Sequence, residues 1–289
     1  MKSFFARMSW LIASMLILAA IPAQARTLKL TTWNMEWLTL RPLGDRALPH
    51  GVAPKTTDAI ARLRAYADQL DADVVAFEEV DGSDMAARIF TPDRYQIVTV
   101  EGREVQKVGF AIRRGLDFIR NPDLAALDLG HRGLRGGIDI TLDVDGKKLR
   151  LLGVHLKSGC AGGHFTGDDT SRACTQLNQQ LPILQDWIGA RVADGDAFAL
   201  MGDFNRRMYD HEKFWNKLES TAPLILTDEG EDSPCWGGGS FIDHVILGGA
   251  ARDWQEPQSL RVLVYRETDK NWKETLSDHC PVSIRLDMP

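Results

Sequence analysis

The sequence lacks an excess of basic residues. Its 289 residues include 34 lysines and arginines against 40 aspartates and glutamates, which gives a formal net charge of −6 at pH 7. This balance excludes a protein held on nucleic acid by a broad basic surface, because such binding needs many cations on one face. If the substrate is a polyanion, metal ions and a few local arginines must attract it.

Long apolar stretches are absent after the first 21 residues. The apolar run at 10–21 follows two positive charges and ends in the triplet Ala-Gln-Ala at 23–25, the pattern of a secretory signal peptide. The alternative is a membrane anchor, which needs roughly 20 apolar residues and is disfavoured by the shorter run. We therefore expect residues 1–25 to be cleaved, leaving a periplasmic or secreted protein, residues 26–289, without a stable membrane anchor.

Cysteine is scarce, and no Cys-x-x-Cys pair occurs, which disfavours a zinc site. The four cysteines all follow the expected signal peptide, and an even number in an oxidising compartment favours disulfides. Four cysteines allow three pairings. We favour Cys160 with Cys174 and Cys235 with Cys280, because closing these loops restricts the unfolded chain most simply.

The apolar patterns predict one α/β domain without internal repeats or linkers. Helical spacing predicts helices at 57–70 and 171–192, and Pro182 should kink the second or mark its start. A glycine-rich loop is predicted at 158–170. Short apolar or alternating segments predict strands at 27–33, 73–77, 95–100, 105–113, 134–144, 148–157, 197–201, 241–247, 260–265 and 281–286.

Polar side chains stand at the ends of these predicted strands. Gly202 interrupts an apolar strand, and a carboxylate and a carboxamide follow it in Asp203-Phe204-Asn205. Taken alone, such a residue is more often a turn former than part of a site. A set of eight indicates a site built where strands end in loops. The set is Asn34, Glu79, His155, Asp203, Asn205, Asp243, Asp278 and His279.

In its ordered motifs the sequence resembles the endonuclease/exonuclease/phosphatase superfamily, which has the deoxyribonuclease I-like fold. The motifs span nearly all of the expected mature chain. They are Thr32-Trp33-Asn34, Phe77-Glu78-Glu79-Val80, Gly153-Val154-His155, Gly202-Asp203-Phe204-Asn205, Ile242-Asp243-His244 and Ser277-Asp278-His279-Cys280-Pro281-Val282. The resemblance implies a four-layer α/β/β/α sandwich, in which helices flank two packed mixed sheets. It also implies cleavage of phosphate esters with a divalent metal, Mg²⁺ first and Mn²⁺ or Ca²⁺ as alternatives.

The resemblance implies a role for each strand-end residue. His279 is similar to the catalytic histidine of the family, and Asp243 to the carboxylate that orients it. Asp203 and Asn205 match residues that position water or the scissile phosphate. His155 matches the second histidine of deoxyribonuclease I and the sphingomyelinases.

The implied metal ligand is Glu79, with Asn34 and Asp278 helping to hold or hydrate the ion. Glu78 stands where glutamine is more usual, and His244 where many relatives have an aromatic residue, which leaves both roles open. Elementary chemistry fits these assignments. A hard cation with oxygen ligands neutralises a phosphodiester. A histidine with an ordinary pKa of about 6.5 can take a proton from water when a carboxylate holds its ring.

Several basic residues are candidate phosphate ligands, because guanidinium and ammonium groups match phosphate oxygens. They are Arg132, Arg135 and Lys157, with Arg206 and Arg207 beside another motif; the alternative is that they are ordinary solvated charges. We expect a metal-dependent endonuclease that hydrolyses DNA, with RNA as a further candidate.

Two alternatives stay open for the function. One is a phospholipid or sugar-phosphate esterase of the same fold, and the other is a binding protein with a dead site. The lack of a strongly apolar insertion favours the nuclease over a lipid enzyme, and the complete set of eight polar residues disfavours a dead site.

Overall fold

The computed structural model describes residues 26–162 and 171–289. The expected signal peptide and residues 163–170 of the predicted glycine-rich loop lie outside the described residues. The strands are β1 (Arg26–Leu38), β2 (Val74–Val80), β3 (Tyr95–Thr99), β4 (Lys107–Arg113), β5 (Asp117–Arg120), β6 (Ile138–Val144), β7 (Lys147–His155), β8 (Phe198–Asp203), β9 (Leu224–Leu226), β10 (Asp232–Ser233), β11 (Gly239–Ser240), β12 (Asp243–Gly248), β13 (Arg261–Val262) and β14 (Val282–Met288). The helices are α1 (Thr57–Leu70), α2 (Ser83–Ala86), α3 (Arg172–Asp194), α4 (Lys213–Glu219) and α5 (Lys270–Thr275).

The larger strands form two six-stranded mixed sheets. The first sheet has the order β13-β14-β1-β2-β4-β3, and the second has the order β5-β6-β7-β8-β12-β9. Each sheet has one parallel pair near its centre, β1 with β2 and β7 with β8. Parallel neighbours need a crossover, which α1 supplies in the first sheet and α3 in the second. The carboxyl ends of the parallel strands therefore meet at one edge of each sheet.

Successive side chains of each strand face opposite sides of its sheet, and the buried side chains form three separate cores. In β2, Val74 and Ala76 face a core shared by the two sheets, whereas Val75 and Phe77 face a core shared with α1. The third core lies between the second sheet and the helices α3 and α4. Three cores between successive layers make four layers, so the predicted α/β/β/α sandwich with two mixed sheets is confirmed.

The long helix α3 runs without interruption through Pro182, where the sequence predicts a kink or a helix start. Proline removes one backbone donor and costs about 3 kcal/mol inside a helix. Burial of Leu181, Leu184 and Ile188 on the same helix outweighs that cost, at about 1.5–3 kcal/mol for each side chain. No helix in the described residues is long and apolar enough to cross a membrane.

The sequence suggests that β8 ends before Gly202. In the structure Gly202 instead lies within β8. Its φ is 147°, and a Cβ atom at this position would lie 1.9 Å from the carbonyl oxygen of Val154 on the neighbouring strand β7. Only glycine fits such a close approach of two backbones. The glycine therefore lets β8 continue to Asp203 while it stays paired with β7.

Both predicted disulfides are present in the structure. Cys160 is bonded to Cys174, with Cα atoms 5.1 Å apart, and Cys235 to Cys280, with Cα atoms 5.7 Å apart. The first bond ties the segment after β7 to the first turn of α3. The second ties the segment before β14 to the loop before β12, and it therefore fixes the residue that follows His279.

Candidate active site

The second sheet brings three of the predicted residues side by side at the edge of the inter-sheet core. Met201 and Val245 face that core from β8 and β12. Two residues farther along β8, and two residues earlier on β12, the same alternation places Asp203 and Asp243 on the same side. In the strand register Asp203 pairs with His155 of β7 on one side and with Asp243 of β12 on the other. Asp203 is therefore the centre of the cluster.

The first sheet contributes an amide and a carboxylate. Asn34 lies on the face of β1 that Leu30 presents to the inter-sheet core. Glu79 has a φ of 60°, so the backbone leaves the extended conformation and its side chain returns to the site. Asn34 Nδ2 donates to Glu79 Oε1 at 3.3 Å and to Asp203 Oδ2 at 3.0 Å, while the Trp37 amide donates to Glu79 Oε2 at 3.2 Å. Asn34 thus joins carboxylates from both sheets.

The carboxylate of Asp203 is buried and accepts several hydrogen bonds. Its Oδ1 accepts from the Asn205 backbone amide at 2.7 Å, and its Oδ2 accepts from Asn205 Nδ2 at 3.1 Å. Asn205 makes these bonds with a φ of 51°. Burial raises the pKa of Asp203 to about 7; Asp243 adds to the rise, and His279 opposes it. This carboxyl group can therefore exchange a proton near neutral pH.

His279 and Asp243 form a hydrogen-bonded pair. The Nδ1 atom of His279 donates to Asp243 Oδ2 at 2.7 Å, and its Nε2 atom lies 3.6 Å from Asp278 Oδ1 and 3.9 Å from Asp203 Oδ2. Burial favours the neutral ring, but Asp243, helped by Asp203 and Asp278, outweighs that effect and holds the pKa of His279 well above its ordinary value. Nε2 of His279 therefore faces the carboxylates of Asp278 and Asp203, and Nδ1 is fixed by the carboxylate of Asp243.

The loop that carries His279 is held by groups that the sequence did not single out. Ser277 Oγ donates to the backbone of β1 at 2.7 Å and accepts from the His279 amide at 3.0 Å. The hydroxyl of Tyr265 donates to the His279 carbonyl at 2.9 Å. Cys280 is held by its disulfide to Cys235. Ser277 lies in a family motif, whereas no sequence signal marks Tyr265.

His155 approaches the same cluster from β7. Arg135 Nη1 donates to its Nδ1 at 2.5 Å, so the ring proton is on Nε2, which lies 3.6 Å from Glu79 Oε1 and 3.6 Å from Asp203 Oδ2. Burial, with Arg135 adding to it, lowers the pKa of His155 well below its ordinary value. The ring is therefore a neutral donor. Arg135 is itself buried and bonded to the Gly133 carbonyl, and its predicted contact with phosphate stays a prediction.

An acidic group next to Asn34 includes a residue outside the predicted set. The backbone amide of Glu36 donates to Asn34 Oδ1 at 2.9 Å, and Glu36 Oε2 accepts from the Asp278 amide at 3.0 Å. Burial raises the pKa of Glu36 to about 7, and the neighbouring Asp278 and Glu79 add to the rise. Lys55 is buried beside these acids. Glu36 lies only two residues after Asn34, which is the signal that sequence analysis passed over.

Glu78 lies behind the site and not in it. Its Oε1 accepts from Thr32 Oγ1 at 3.1 Å, and its Oε2 is buried without a hydrogen-bond partner among the described residues. Burial raises the pKa of Glu78 well above its ordinary value, and the charges of Asp243 and Asp203 add to the rise. Of the two adjacent glutamates, Glu79 alone contacts the polar cluster, as alternation predicts for one of them.

His244 and Arg206 belong to the interior of the second sheet. His244 lies 2.8 Å from Asp228 Oδ2 through Nδ1 and 2.9 Å from the Arg206 carbonyl through Nε2. The guanidinium of Arg206 is buried and bonded to Glu212 at 2.6 Å and to the Cys160 carbonyl at 2.8 Å. The suggestion that Arg206 binds phosphate is therefore wrong, because a buried internal carboxylate already holds its donors.

The cluster fits a divalent cation. Asp203, Asp243 and His279 each place one ligand atom within 4.8 Å of the others. Asp243 keeps Oδ1 without a hydrogen-bond partner among the described residues, and the acids around Asn34 add further carboxylate oxygens. Oxygen is the ligand atom that Mg²⁺ and Ca²⁺ take. Burial, with neighbouring acids adding to it, raises the pKa values of Glu36 and Asp203 to about 7, and a bound cation would favour their charged forms.

A two-sheet α/β/β/α sandwich with histidines and carboxylates gathered where its parallel strands end is the architecture of the deoxyribonuclease I-like phosphoesterases. The chain belongs to the Endonuclease/Exonuclease/phosphatase family, whose model matches residues 31–279. Members of this family are divalent-metal-dependent phosphoric ester hydrolases.

Several solved structures share the fold at low sequence identity. Truncated TDP2 of Caenorhabditis elegans is 15% identical with a TM-score of 0.62, over 90% of this chain and 97% of that one. The 3′ phosphatase NExo from Neisseria, bound to a product DNA hairpin, is 18% identical with a TM-score of 0.58, over 90% of this chain and 99% of that one. The human Nocturnin catalytic domain is 14% identical with a TM-score of 0.59, over 90% of this chain and 93% of that one. No curated protein sequence matches this chain at a significant level.

Proposed function

We propose that this protein is a secreted or periplasmic phosphodiesterase that depends on a divalent metal and acts as an endonuclease on DNA. The observation that carries the proposal is the His279–Asp243 pair, whose free Nε2 atom faces Asp203 and Asp278. A binding protein with a dead site has no need for a carboxylate that orients this ring. The two disulfides support an oxidising compartment.

In this proposal His279 is the general base. Asp243 fixes the ring through Nδ1, which leaves Nε2 to accept a proton from the attacking water. The carboxylates of Asp203 and Asp278 raise the pKa of the ring. Neutralising them with a bound cation would lower that pKa and so favour the neutral ring that a base requires. Asn205 and Asp203 would then orient the water or the phosphate.

We assign the metal to Glu79, with Asn34 and Asp278 helping to hold or hydrate it and Mg²⁺ as the preferred ion. The bound ion would neutralise charge on the phosphodiester and on the transition state. Asn34 places its amide between Glu79 and Asp203 and so fixes the spacing of the two carboxylates. Glu36 lies close enough to Asp278 to adjust the charge of this group.

The neutral His155 is suited to donate a hydrogen bond. Arg135 occupies its Nδ1 atom, so Nε2 keeps its proton. A phosphate that enters between Glu79 and Asp203 would receive that proton as a hydrogen bond on a non-bridging or leaving oxygen. The Arg135 guanidinium then acts through His155 in addition to any contact of its own with phosphate.

Nucleic acid is the substrate that the similar structures favour. The NExo structure contains a product DNA hairpin, and TDP2 of D. rerio, which is 14% identical with a TM-score of 0.57, has been solved with a single-stranded DNA product. Arg132 and Lys157 line a pocket formed by the segments that adjoin Arg135 and His155, which supports a contact with a phosphate backbone. DNA is therefore the first substrate to test.

The test is nicking of supercoiled plasmid by the purified protein with Mg²⁺, with and without a chelator. We expect His279→Ala to fold and to lose at least about 10²-fold of the rate, because general base catalysis contributes that much. His211→Ala is the control, since the side chain of this histidine is 88% exposed and, among the described residues, lies near one ion-pair partner, Asp210. Full activity in His279→Ala, or nicking that persists after chelation, would contradict the proposal.

Assays of the same purified protein with other substrates distinguish the nuclease from the alternative esterase. A folded preparation that leaves plasmid intact with Mg²⁺, Mn²⁺ and Ca²⁺, but releases phosphate or a headgroup from an inositol phosphate or a phospholipid, would replace the nuclease assignment. Release from neither class, with any of the three ions, would favour the binding protein.

A further inference from the structure

A cationic pocket of about 430 Å³ lies beside the candidate active site. Its walls come from the turn before Arg135, from the segment after His155 and from the first turns of α3. The lining residues are Arg132, Gly133, Leu134, Lys157, Arg172, Ala173 and Gln176. Among the described residues, this lining therefore includes three cationic side chains and no carboxylate.

The cations of this pocket lack acidic partners among the described residues. Among the described residues, the Lys157 ammonium donates only to its neighbour Ser158, at 2.8 Å from the carbonyl oxygen, and neither Arg132 nor Arg172 forms an ion pair. Burial lowers the pKa of Lys157, and the charges of Arg135 and Arg172 lower it further, so these charges face one another. Like charges held together repel each other, and a bound anion would remove that repulsion.

Gln176 is the second indication of a ligand. Gln176 is only 6% exposed and lines the pocket, and its side chain forms no hydrogen bond with another described residue, so its amide atoms open into the pocket. An amide in this position can donate to, or accept from, a ligand in the pocket. Gln180, one turn later on α3, shows the usual arrangement: it donates to the Leu127 carbonyl at 2.8 Å and accepts from the Lys157 amide at 2.9 Å.

The backbone of α3 favours the same kind of ligand. Arg172 and Ala173 open this 23-residue helix, and the amino end of a helix carries a partial positive charge. Three cationic side chains, an amide that opens into the pocket and the amino end of a long helix together suit an oxyanion such as phosphate.

We propose that this pocket binds a second phosphate group of the substrate, the phosphate that flanks the scissile phosphodiester in a nucleic acid strand. The inference rests on the proposed function. Lys157 follows His155 by two residues, and two residues of extended chain span at most about 7 Å. The pocket and the catalytic cluster are therefore close enough for neighbouring phosphates of one strand to occupy both. Arg172 and Gln176 then favour substrates that carry this second phosphate.

The experiment compares the dinucleotide TpT with pTpT and TpTp, which add one phosphate on either side of a single cleavable diester. Wild-type protein should cleave one of the two phosphorylated dinucleotides with a kcat/KM about tenfold higher than for TpT, as one charge-assisted contact provides. In Arg172→Gln the ratio should fall to about one, and Gln176→Leu should reduce it. Arg261→Gln is the matched control, because this exposed arginine contacts only nearby backbone carbonyls.

The outcomes separate this inference from the proposed function. Cleavage of all three dinucleotides at the same kcat/KM, or an advantage that Arg172→Gln retains, would overturn the pocket while the nuclease assignment stands. Failure of the plasmid and dinucleotide assays together would remove the proposed function. A second phosphate can also belong to a sugar. The protein could cleave inositol bisphosphate faster than inositol monophosphate, lose this advantage in Arg172→Gln, and show no such advantage with the dinucleotides. That result would overturn the assignment to nucleic acid.

Discussion

His279 and His244 show how one residue type serves two purposes in this chain. Each ring is bonded to an aspartate, His279 to Asp243 at 2.7 Å and His244 to Asp228 at 2.8 Å. Both nitrogens of His244 are occupied, the second by the Arg206 carbonyl. The second nitrogen of His279 instead faces carboxylates at 3.6 Å and beyond, where a substrate can enter. The free nitrogen therefore distinguishes the catalytic candidate from the structural pair.

The two aspartates provide a matched pair of variants. Asp243→Asn should lower kcat at least about 10²-fold with little change in unfolding, because the amide no longer stabilises or orients the charged ring. Asp228→Asn should instead lower the free energy of unfolding by about 1–3 kcal/mol and leave kcat unchanged, because it weakens a buried charge-assisted bond. Plasmid nicking and urea denaturation measure the two effects. Equal loss of activity in both variants would refute the division of roles.

Glu78 should make stability depend on pH. Its folded pKa is raised by burial, so folding takes up a proton when the pH exceeds the unfolded pKa near 4.5. The stabilising contribution is complete below that pH and is lost as the pH rises through the folded pKa. Glu78→Gln removes this titration, and the variant should gain stability over wild type between pH 4 and pH 8. Denaturation with a chelator present tests this; a constant difference across the range would contradict it.

At the scale of elements, strand ends were more predictable than short helices. The apolar runs and the polar residues after them located β1, β2, β7, β8 and β12, because both signals are local. The elements β5, β9, α4 and α5 were not predicted. They have three to seven residues, too few for a periodic pattern, and they form because the larger sheets and helices offer them surface to cover.

The two disulfides should differ in their effect on catalysis. From loop length alone, the Cys235–Cys280 bond, with a sequence separation of 45, should stabilise the fold by about 4 kcal/mol, and the Cys160–Cys174 bond, with a separation of 14, by about 3 kcal/mol. Replacing Cys235 and Cys280 by serine should also lower TpT turnover, because that bond adjoins His279. Replacing Cys160 and Cys174 by serine should leave TpT turnover unchanged. Denaturation measures the stability of each double variant, and the cleavage rate of TpT measures its turnover. Equal turnover in the two variants would disprove the anchoring role.

At the scale of the whole molecule, the site lies where two sheets meet, so its residues come from both halves of the sandwich. Asn34 and Glu79 come from the first sheet, and Asp203 and Asp243 from the second. A ligand held by both halves must stabilise the assembled sandwich, because the unfolded chain does not bring these groups together.

Binding of Mg²⁺ should therefore raise the melting temperature. At an ion concentration of 100 times Kd, the gain in the free energy of unfolding is about 2.7 kcal/mol. His279→Ala should keep most of this gain, and Glu79→Gln should lose it, because only the second variant removes a predicted metal ligand. Thermal denaturation with and without Mg²⁺ measures both variants. Retention of the full gain in Glu79→Gln would show that the ion binds elsewhere.

The sequence by itself determined the class of fold and singled out the eight polar residues of the candidate site. It favoured the two observed disulfide pairings without excluding the others. Strand and helix periodicity is local, and six ordered motifs are hard to obtain by chance. Only the tertiary structure decided which of these residues touch. It placed Asp203 between His155 and Asp243, turned Glu79 into the site and enclosed Arg206. It also joined Arg132, Lys157 and Gln176 in one pocket. These contacts depend on strand register and layer packing, which residues far apart in sequence set together.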